Sequence, residues 1–386
     1  MDGPGAPALA RLTLYHFRHR LSRPISTIMG PVTARPALVL KIEDTEGAAG
    51  YGEIWCNFPP DGDLHRMRLA CNILPDALSA ISAGPETAFF QLARRFHNLS
   101  LQAGEPGPLA QVAAGADIAL ADLAARRAGV PLAVHLGAER VGPVPAYASG
   151  ISPDIWPGQL ERMRARGFRD FKLRIGFGVE DSLPELARMV AALAPDERLR
   201  VDANQSWSFD TALARVRKLG AFDLHWLEEP LRADAPWPEW QRLADASPVP
   251  LAAGENLRTA ADFGAAIASG AIRVVQPDIC KWGGLNGAAE VARQALAAGL
   301  SYCPHYLGGG VGLMASAHLL AAVGGPGLLE VDSSENPLSA GLSAHDGSLA
   351  EGRFPIPDAP GLGYDPDIAC CSDMLREKIE IPLSAY

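Results

Sequence analysis

Apolar and polar positions alternate along the opening segments RLTLYHF (11–17) and ALVLKIED (37–44), the period of a strand with one buried face. Gly47 and Gly50 link the second to YGEIW (51–55), which continues the alternation. The period then lengthens. Ala110 to Ala128 places its apolar residues at helical spacing, and the segments before it keep that rhythm, so residues 1–136 are expected to form a small α+β domain.

From Pro143 the pattern becomes repetitive. Eight short apolar stretches, PVPAYAS, FRDFKLRI, RLRVDAN, DLHWLEE, PLAAGEN, IRVVQPD, SYCPH and LLEVDS, alternate with amphipathic segments such as SLPELARMVAAL. Repeated βα units predict a parallel sheet. Closure into a barrel over 137–362 is expected, because an open sheet of this size would normally carry a nucleotide-type glycine turn at its switch point. The tail, 363–386, contains DMLREKIEI and is expected to pack back on the first domain.

Composition narrows the function classes. The 386 residues are 48% hydrophobic and 20% charged, as in an ordinary globular protein with a large core. A net charge of -10 disfavours nucleic acid and anionic lipid as partners, while leaving room for a local cationic pocket. The six cysteines form no CxxC pair, and the first twenty residues hold no secretory apolar stretch, so a cytoplasmic protein is expected. Tyr306 to Leu329 is uncharged over a membrane-spanning length, but His318, several glycines and Pro326 fit a buried helix followed by a strand better.

Polar residues fall where the strands should end. Lys172, Asp202, Glu228, Glu255, Asp278, His305 and Glu330 are separated by 30, 26, 27, 23, 27 and 25 residues, one βα unit each time. A barrel brings such positions to its C-terminal rim. Asp202, Glu228 and Glu255 would repel one another there unless a cation sat between them, and an all-oxygen set favours magnesium over zinc. His305 and Asp278 lie on adjacent strands, about 4.8 Å apart, so the carboxylate can accept one imidazole N–H and leave the other nitrogen as a general base. Lys172 and Arg174 alternate along one strand and face the same way. A lysine beside other cations can be tuned towards neutrality, whereas an arginine holds its proton.

Three other chemistries find no support in the motifs. GGGVGL (308–313) lacks the third glycine of a dinucleotide turn and is expected to be a mobile loop. No GxxxxGK[ST] phosphate loop occurs, and Ser149 is not in a GxSxG elbow.

In order along the chain, FKLRIGFG, VDANQSW, WLEEPL, AGEN, QPDICKWGG, CPH and LLEVD resemble the mandelate racemase branch of the enolase superfamily, and the resemblance spans nearly the whole sequence. It implies a modified (β/α)7β barrel under an N-terminal α+β capping domain completed by the C-terminal tail. It also implies that loops near Ile25 to Thr33 and Trp55 to Pro60 close over a small carboxylate substrate. Carried over position by position, it makes Asp202, Glu228 and Glu255 ligands of Mg2+ and Asp278 with His305 the base dyad. Glu330 becomes an acidic hydrogen-bond donor, and Lys172 with Arg174 stands in a lysine-x-lysine motif. Lys281 and Asn204 become substrate-side groups, and Glu229 an outer partner of the metal site. A homo-oligomer is expected on the same ground.

Arg174 departs from that motif, where a second lysine is the usual base on the opposite face of the substrate. One good base suffices to dehydrate a hydroxy acid or acid sugar through an enediolate, and this is the expected reaction. A racemase or epimerase, which needs a second acid/base, stays open as the alternative. So does a metal-stabilised binding protein without turnover.

Overall fold

In β1 (Leu9–Ile25) the side chains of Leu12, Leu14 and Phe17 are fully buried, and the strand pairs antiparallel with β2 (Val32–Asp44). These assignments come from a computed structural model that describes residues 8–81, 88–176 and 182–383. The outer ends of the expected first and last segments, and Phe177 and Gly178 of FKLRIGFG, lie outside the described residues. β3 (Ala49–Ile54) adds to β2, and β13 (Leu375–Pro382) adds to β1 from Arg11↔Pro382 to Phe17↔Leu375. The tail therefore completes a four-stranded antiparallel sheet.

Two helices pack on this sheet, α1 (Gly62–Ser79) and α3 (Pro106–Arg127), and α2 (Ala88–Ala103) packs on α3. α3 is apolar on nearly every side, the mark of a helix enclosed by protein. It is long and apolar enough to cross a membrane by length and composition, yet 83% of its most apolar window is buried inside the fold. Its approach to β3 is close: a Cβ on Gly52 would fall 2.1 Å from the Gly115 carbonyl oxygen, so glycine there is a packing requirement. A short α4 (Leu132–His135) leads on to the barrel.

All eight expected barrel strands form: β4 (Val144–Ile151), β5 (Asp170–Arg174), β6 (Arg198–Asp202), β7 (Leu224–Glu228), β8 (Leu251–Ala253), β9 (Val274–Val275), β10 (Ser301–Tyr302) and β11 (Leu329–Asp332). They pair in parallel in the order β10-β9-β8-β7-β6-β5-β4-β11. The sheet curls until its edges touch, where the Leu328 N–H reaches Cys303 Sγ at 3.3 Å. Between the strands lie α5 (Trp156–Ala165), α6 (Leu183–Ala192), α7 (Phe209–Leu219), α8 (Trp237–Ala246), α9 (Ala260–Ser269), α10 (Gly284–Ala297) and α11 (Gly310–Val323), which makes this a (β/α)7β barrel. α12 (Pro337–Gly341) and β12 (Arg353–Phe354) follow, and β12 pairs antiparallel with β4.

The segment from Tyr306 to Leu329 is the expected buried helix and strand. The expected mobile loop at Gly308 to Leu313 is not what forms, since α11 begins at Gly310. Glu53 of β3 is the reason: its Oε1 accepts the Gly309 N–H at 2.5 Å and its Oε2 the Gly312 N–H at 2.9 Å. Carboxylate oxygens at a helix N-terminus satisfy N–H groups that have no partner within the helix. The glycines admit close neighbours, for a Cβ on Gly312 would fall 2.3 Å from Tyr306 Oη.

Candidate active site

A cavity of about 580 Å³ opens between the capping sheet and the C-terminal ends of the barrel strands. Ile28 and Met29 from the first expected loop line it, as do Trp55 and Phe58 from the second. Asp202, Asn204, Glu229, Glu255, Lys281 and His305 line it from the barrel, together with Arg174. The regular spacing along the chain thus becomes proximity in space, with one adjustment. Lys172 and Glu330 lie within their strands, and Glu255, Asp278 and His305 lie just past theirs.

Lys172 is buried among carboxylates. Its Nζ lies 2.6 Å from Glu228 Oε1, 2.8 Å from Glu330 Oε1 and 3.5 Å from Asp202 Oδ2. Burial alone would lower its pKa, but Glu228 and Glu330 outweigh that and hold it well above the ordinary lysine value. Glu228 also accepts hydrogen bonds from Gln276 Nε2 (2.6 Å) and Trp226 Nε1 (3.2 Å). Burial, with Asp202 and Glu330 nearby, pushes its carboxyl up to about 8 despite Lys172.

Asp202 accepts the Asn204 N–H at 2.8 Å and Asn204 Nδ2 at 3.0 Å. Burial raises its pKa, and the charge of Glu255 adds to the rise against the pull of Lys172. Glu229 is buried and raised well above the ordinary range, by desolvation first and Glu255 next. Asn204, Gln205 and Glu229 have φ values of 44°, 60° and 38°, a left-handed backbone uncommon outside glycine that tends to cluster at functional sites.

His305 bridges two acids. Its Nδ1 lies 2.9 Å from Asp278 Oδ2 and its Nε2 is hydrogen-bonded to Glu255 Oε2. Asp278 is itself fixed, because its Oδ1 accepts the N–H groups of Cys280 (2.9 Å) and Lys281 (3.2 Å). Burial disfavours the imidazolium, yet Glu255, Glu330 and Asp278 together raise the His305 pKa well above its usual value. Lys281 Nζ donates to Asn256 Oδ1 at 3.2 Å, lies 3.9 Å from Glu255 and sits 4.9 Å from the centre of the Trp55 ring.

Glu330, expected as an acidic donor, lies between Lys172 and His305. Lys172 and His305 overcome its burial and hold its carboxyl below the ordinary range, so it accepts, taking the Tyr306 N–H at 2.9 Å. The carboxylate trio is not drawn together: among the described residues no three His, Cys, Asp or Glu side chains converge on one point as they stand. Glu228 is engaged by Lys172 and Glu255 by His305.

The chemistry of the donor set nevertheless fits a hard divalent cation. Asp202, Glu228 and Glu255 are oxygen donors on neighbouring strands; the charge of Glu255 raises the cost of ionising Asp202, and that of Asp202 the cost of ionising Glu228. Asn204 Oδ1, buried beside them, has no hydrogen-bond donor among the described residues. Such an acceptor suits a water or hydroxyl attached to a cation.

One group at the cavity was missed in the sequence. Arg35, from the capping sheet, reaches across to Asp332 and Ser334 of the barrel. The only trace of it along the chain is a charged residue two positions before the apolar run ALVL (37–40).

Residues 158–369 match the enolase C-terminal domain-like family, and residues 11–137 match the mandelate racemase / muconate lactonizing enzyme N-terminal domain. A crystal structure of a mandelate racemase/muconate lactonizing enzyme from Bordetella bronchiseptica is 47% identical with a TM-score of 0.88, over 95% of this chain and 99% of that one. A racemase from Streptomyces coelicolor with bound magnesium is 26% identical with a TM-score of 0.83, over 95% and 100% of the two chains. Among characterised relatives, a D-galactarolactone cycloisomerase from Agrobacterium fabrum is 28% identical over 90% of this chain and 93% of its own. An arabinonate dehydratase from Saccharolobus solfataricus is 27% identical over 84% and 86%. This chain belongs to the mandelate racemase / muconate lactonizing enzyme family of the enolase superfamily.

Proposed function

We propose that this chain is a magnesium-dependent enzyme that abstracts the α-proton of a hydroxy acid and eliminates its β-hydroxyl. The observation that carries the reading is an asymmetry across the cavity. On one side stands His305, oriented through Nδ1 by Asp278. On the other, Lys172 is tied to Glu228 and Glu330, and its neighbour of like orientation is an arginine. A single base serves elimination, whereas inversion at the α-carbon needs one on each face.

Asp202, Glu228 and Glu255 would hold the magnesium ion, with Glu229, Asn256 and Gln276 fixing their orientation. Bound there, the ion would supply the positive charge that makes a proton beside an ionised carboxylate acidic enough to remove. Asp278 keeps the Nδ1 proton in place, so that His305 Nε2, once turned off Glu255, takes the α-proton. Lys172 holds a fixed positive charge beside the substrate's carboxylate, with Arg174 on the same side. The proton that His305 has taken is then passed to the β-hydroxyl, which leaves as water, and the enol that remains becomes a 2-keto acid. Asn204 and Lys281 line the cavity where the substrate's oxygens would lie.

The test is a magnesium-supplemented panel of hydroxy acids and acid sugars in deuterated water, following both keto-acid formation and deuterium uptake. Keto acid from one substrate class, lost in His305→Asn, is the expected result. Deuterium uptake with inversion and no keto acid would establish the racemase alternative instead, with Lys172 as the second base. A panel that exchanges and converts nothing would favour a binding protein.

A further inference from the structure

Two cysteines stand side by side in the turn that carries the tail from the barrel to β13. All six cysteines of the chain are free thiols; Cys370 alone is exposed, and its neighbour Cys371 is fully buried. Their sulfurs lie 3.6 Å apart. The Cys370 S–H donates to the carbonyl of Gly341, the last residue of α12, at 3.2 Å. Glycine makes the room here, for a Cβ at 341 would fall 2.5 Å from Cys371 Sγ and 3.3 Å from Cys370 Sγ. The turn itself is held at both ends. Asp367 Oδ1 accepts the N–H groups of Ala369 and Cys370, each at 3.0 Å, and the Cys371 carbonyl accepts those of Met374 (3.0 Å) and Leu375 (3.1 Å). Neither sulfur lines the cavity at the barrel rim.

A direct bond between the sulfurs is disfavoured. Adjacent Cα atoms stand about 3.8 Å apart across a trans peptide, closer than the roughly 4.4–6.8 Å that a disulfide spans. One ion held between the sulfurs meets no such obstacle. Sulfurs bonded to a single tetrahedral centre at about 2.3 Å lie about 3.8 Å from each other, close to the separation already present. The surroundings favour a positive charge, because the carboxylates of Asp367 and Asp373 bear on the Cys371 thiol. Burial, and after it the contact with Cys370, pushes that thiol up to about 12. It therefore keeps its proton at neutral pH unless a metal ion displaces it. A pair of thiolates selects zinc-like ions over magnesium.

We infer that Cys370 and Cys371 form a two-sulfur site for one thiophilic divalent cation such as zinc or cadmium, separate from the active-site cavity. Binding breaks both S–H bonds and forms two sulfur–metal bonds, and the two protons pass to water. Water completes the coordination shell on the exposed Cys370 side. The ion replaces the Cys370 contact to Gly341 and so sits where the tail meets α12, which packs on β1 and β2 of the capping sheet.

Cadmium is the probe, since its thiolates give a charge-transfer absorption that carboxylate complexes lack. The full chain, reduced and stripped of other metals, is titrated in excess magnesium, which competes for all-oxygen sites but not for thiolates. Wild type is expected to bind one ion with that absorption, to release about two protons per ion, and to protect Cys370 from iodoacetamide. Cys370→Ser and Cys371→Ser should each weaken binding about tenfold or more, a loss that removal of even a ligand's own partner can produce, and should release about one proton. Cys71→Ser, which removes the half-exposed thiol of α1, should change nothing. Unchanged affinity in either of the first two variants would mean capture by one sulfur and overturn the inference. Absorption that survives both variants, or none in the wild type, would overturn it as well. Cys370→Ser, at an exposed position, carries the comparison if Cys371→Ser does not fold. Because no substrate is present, each outcome is independent of the reaction proposed for the cavity.

Discussion

His305 Nδ1 lies 2.9 Å from Asp278 Oδ2, and the other oxygen of that carboxylate is held by two backbone N–H groups. The contact decides which imidazole nitrogen faces the cavity. Asp278→Asn can offer its amide N–H to Nδ1 and so favour the opposite tautomer, with the proton on Nε2. A comparable exchange in a catalytic triad costs about 10⁴ in kcat. A loss of about 10²–10⁴ in α-proton exchange is expected for this variant, with unchanged circular dichroism. Retention of more than a tenth of the exchange rate would remove Asp278 from the mechanism.

The trio invites a separate test by metal removal. Ligand binding to the folded state stabilises it by RT ln(1 + [L]/Kd), about 2.7 kcal/mol at a hundredfold excess over Kd. Magnesium should therefore raise the unfolding midpoint of the wild type over that of a chelated sample. Glu255→Gln, which lowers the charge of the donor set, should lose most of that response. Superimposable melting curves with and without magnesium would mean that Asp202, Glu228 and Glu255 hold no ion.

Much of this arrangement was legible along the chain, because a barrel repeats one βα unit about every 25 residues and any polar residue at a fixed phase reaches the same rim. All seven strand-end residues meet that condition: Lys172 contacts Asp202, Glu228 and Glu330, and His305 contacts Glu255 and Asp278, while the carboxylate trio does not converge on one point among the described residues. What spacing does not carry is which neighbour each side chain chooses. That Glu255 turns to His305, and that Lys172 is bound by three acids, follow from rotamers and local charge. Arg35 was hidden for a different reason: it enters from another layer, and no repeat relates it to Asp332. The start of α11 was misread because the groups that satisfy its N–H donors belong to Glu53, 256 residues away from Gly309.

Glu53 should accordingly matter more to stability than its place on the capping sheet suggests. It is 2% exposed and binds the N–H groups of Gly309 and Gly312. Glu53→Ala would leave both donors buried without partners, at about 1–3 kcal/mol each. Urea unfolding should register a loss of roughly 2–5 kcal/mol for that variant and a smaller one for Glu53→Gln, which keeps one acceptor. A loss below about 1 kcal/mol for the alanine variant would show that water replaces the carboxylate there.

His318, far from the chemistry, sets a pH dependence of its own. It is fully buried on α11, its Nδ1 accepts the Ala133 N–H at 3.1 Å and its Nε2 meets the Leu362 carbonyl at 3.2 Å. Burial lowers its pKa from 6.5 to about 4, outweighing the Leu362 contact. The folded protein therefore keeps the ring neutral where the unfolded chain protonates it. The resulting stability is complete above pH 6.5 and is lost as the pH falls through 6.5 towards 4. Between pH 7.5 and 5 the loss should be on the order of 2 kcal/mol. Asp117 and Asp122, both raised to about 6 mainly by burial, act in the opposite sense, since the fold takes up their protons first on acidification. Their effect is common to wild type and His318→Gln, so the difference between the two proteins isolates the histidine. The stability advantage of wild type over the variant should shrink by about 2 kcal/mol over that interval, measured by urea unfolding at each pH. A constant difference would place the His318 pKa at its ordinary value and remove the ring from the acid sensitivity of the fold.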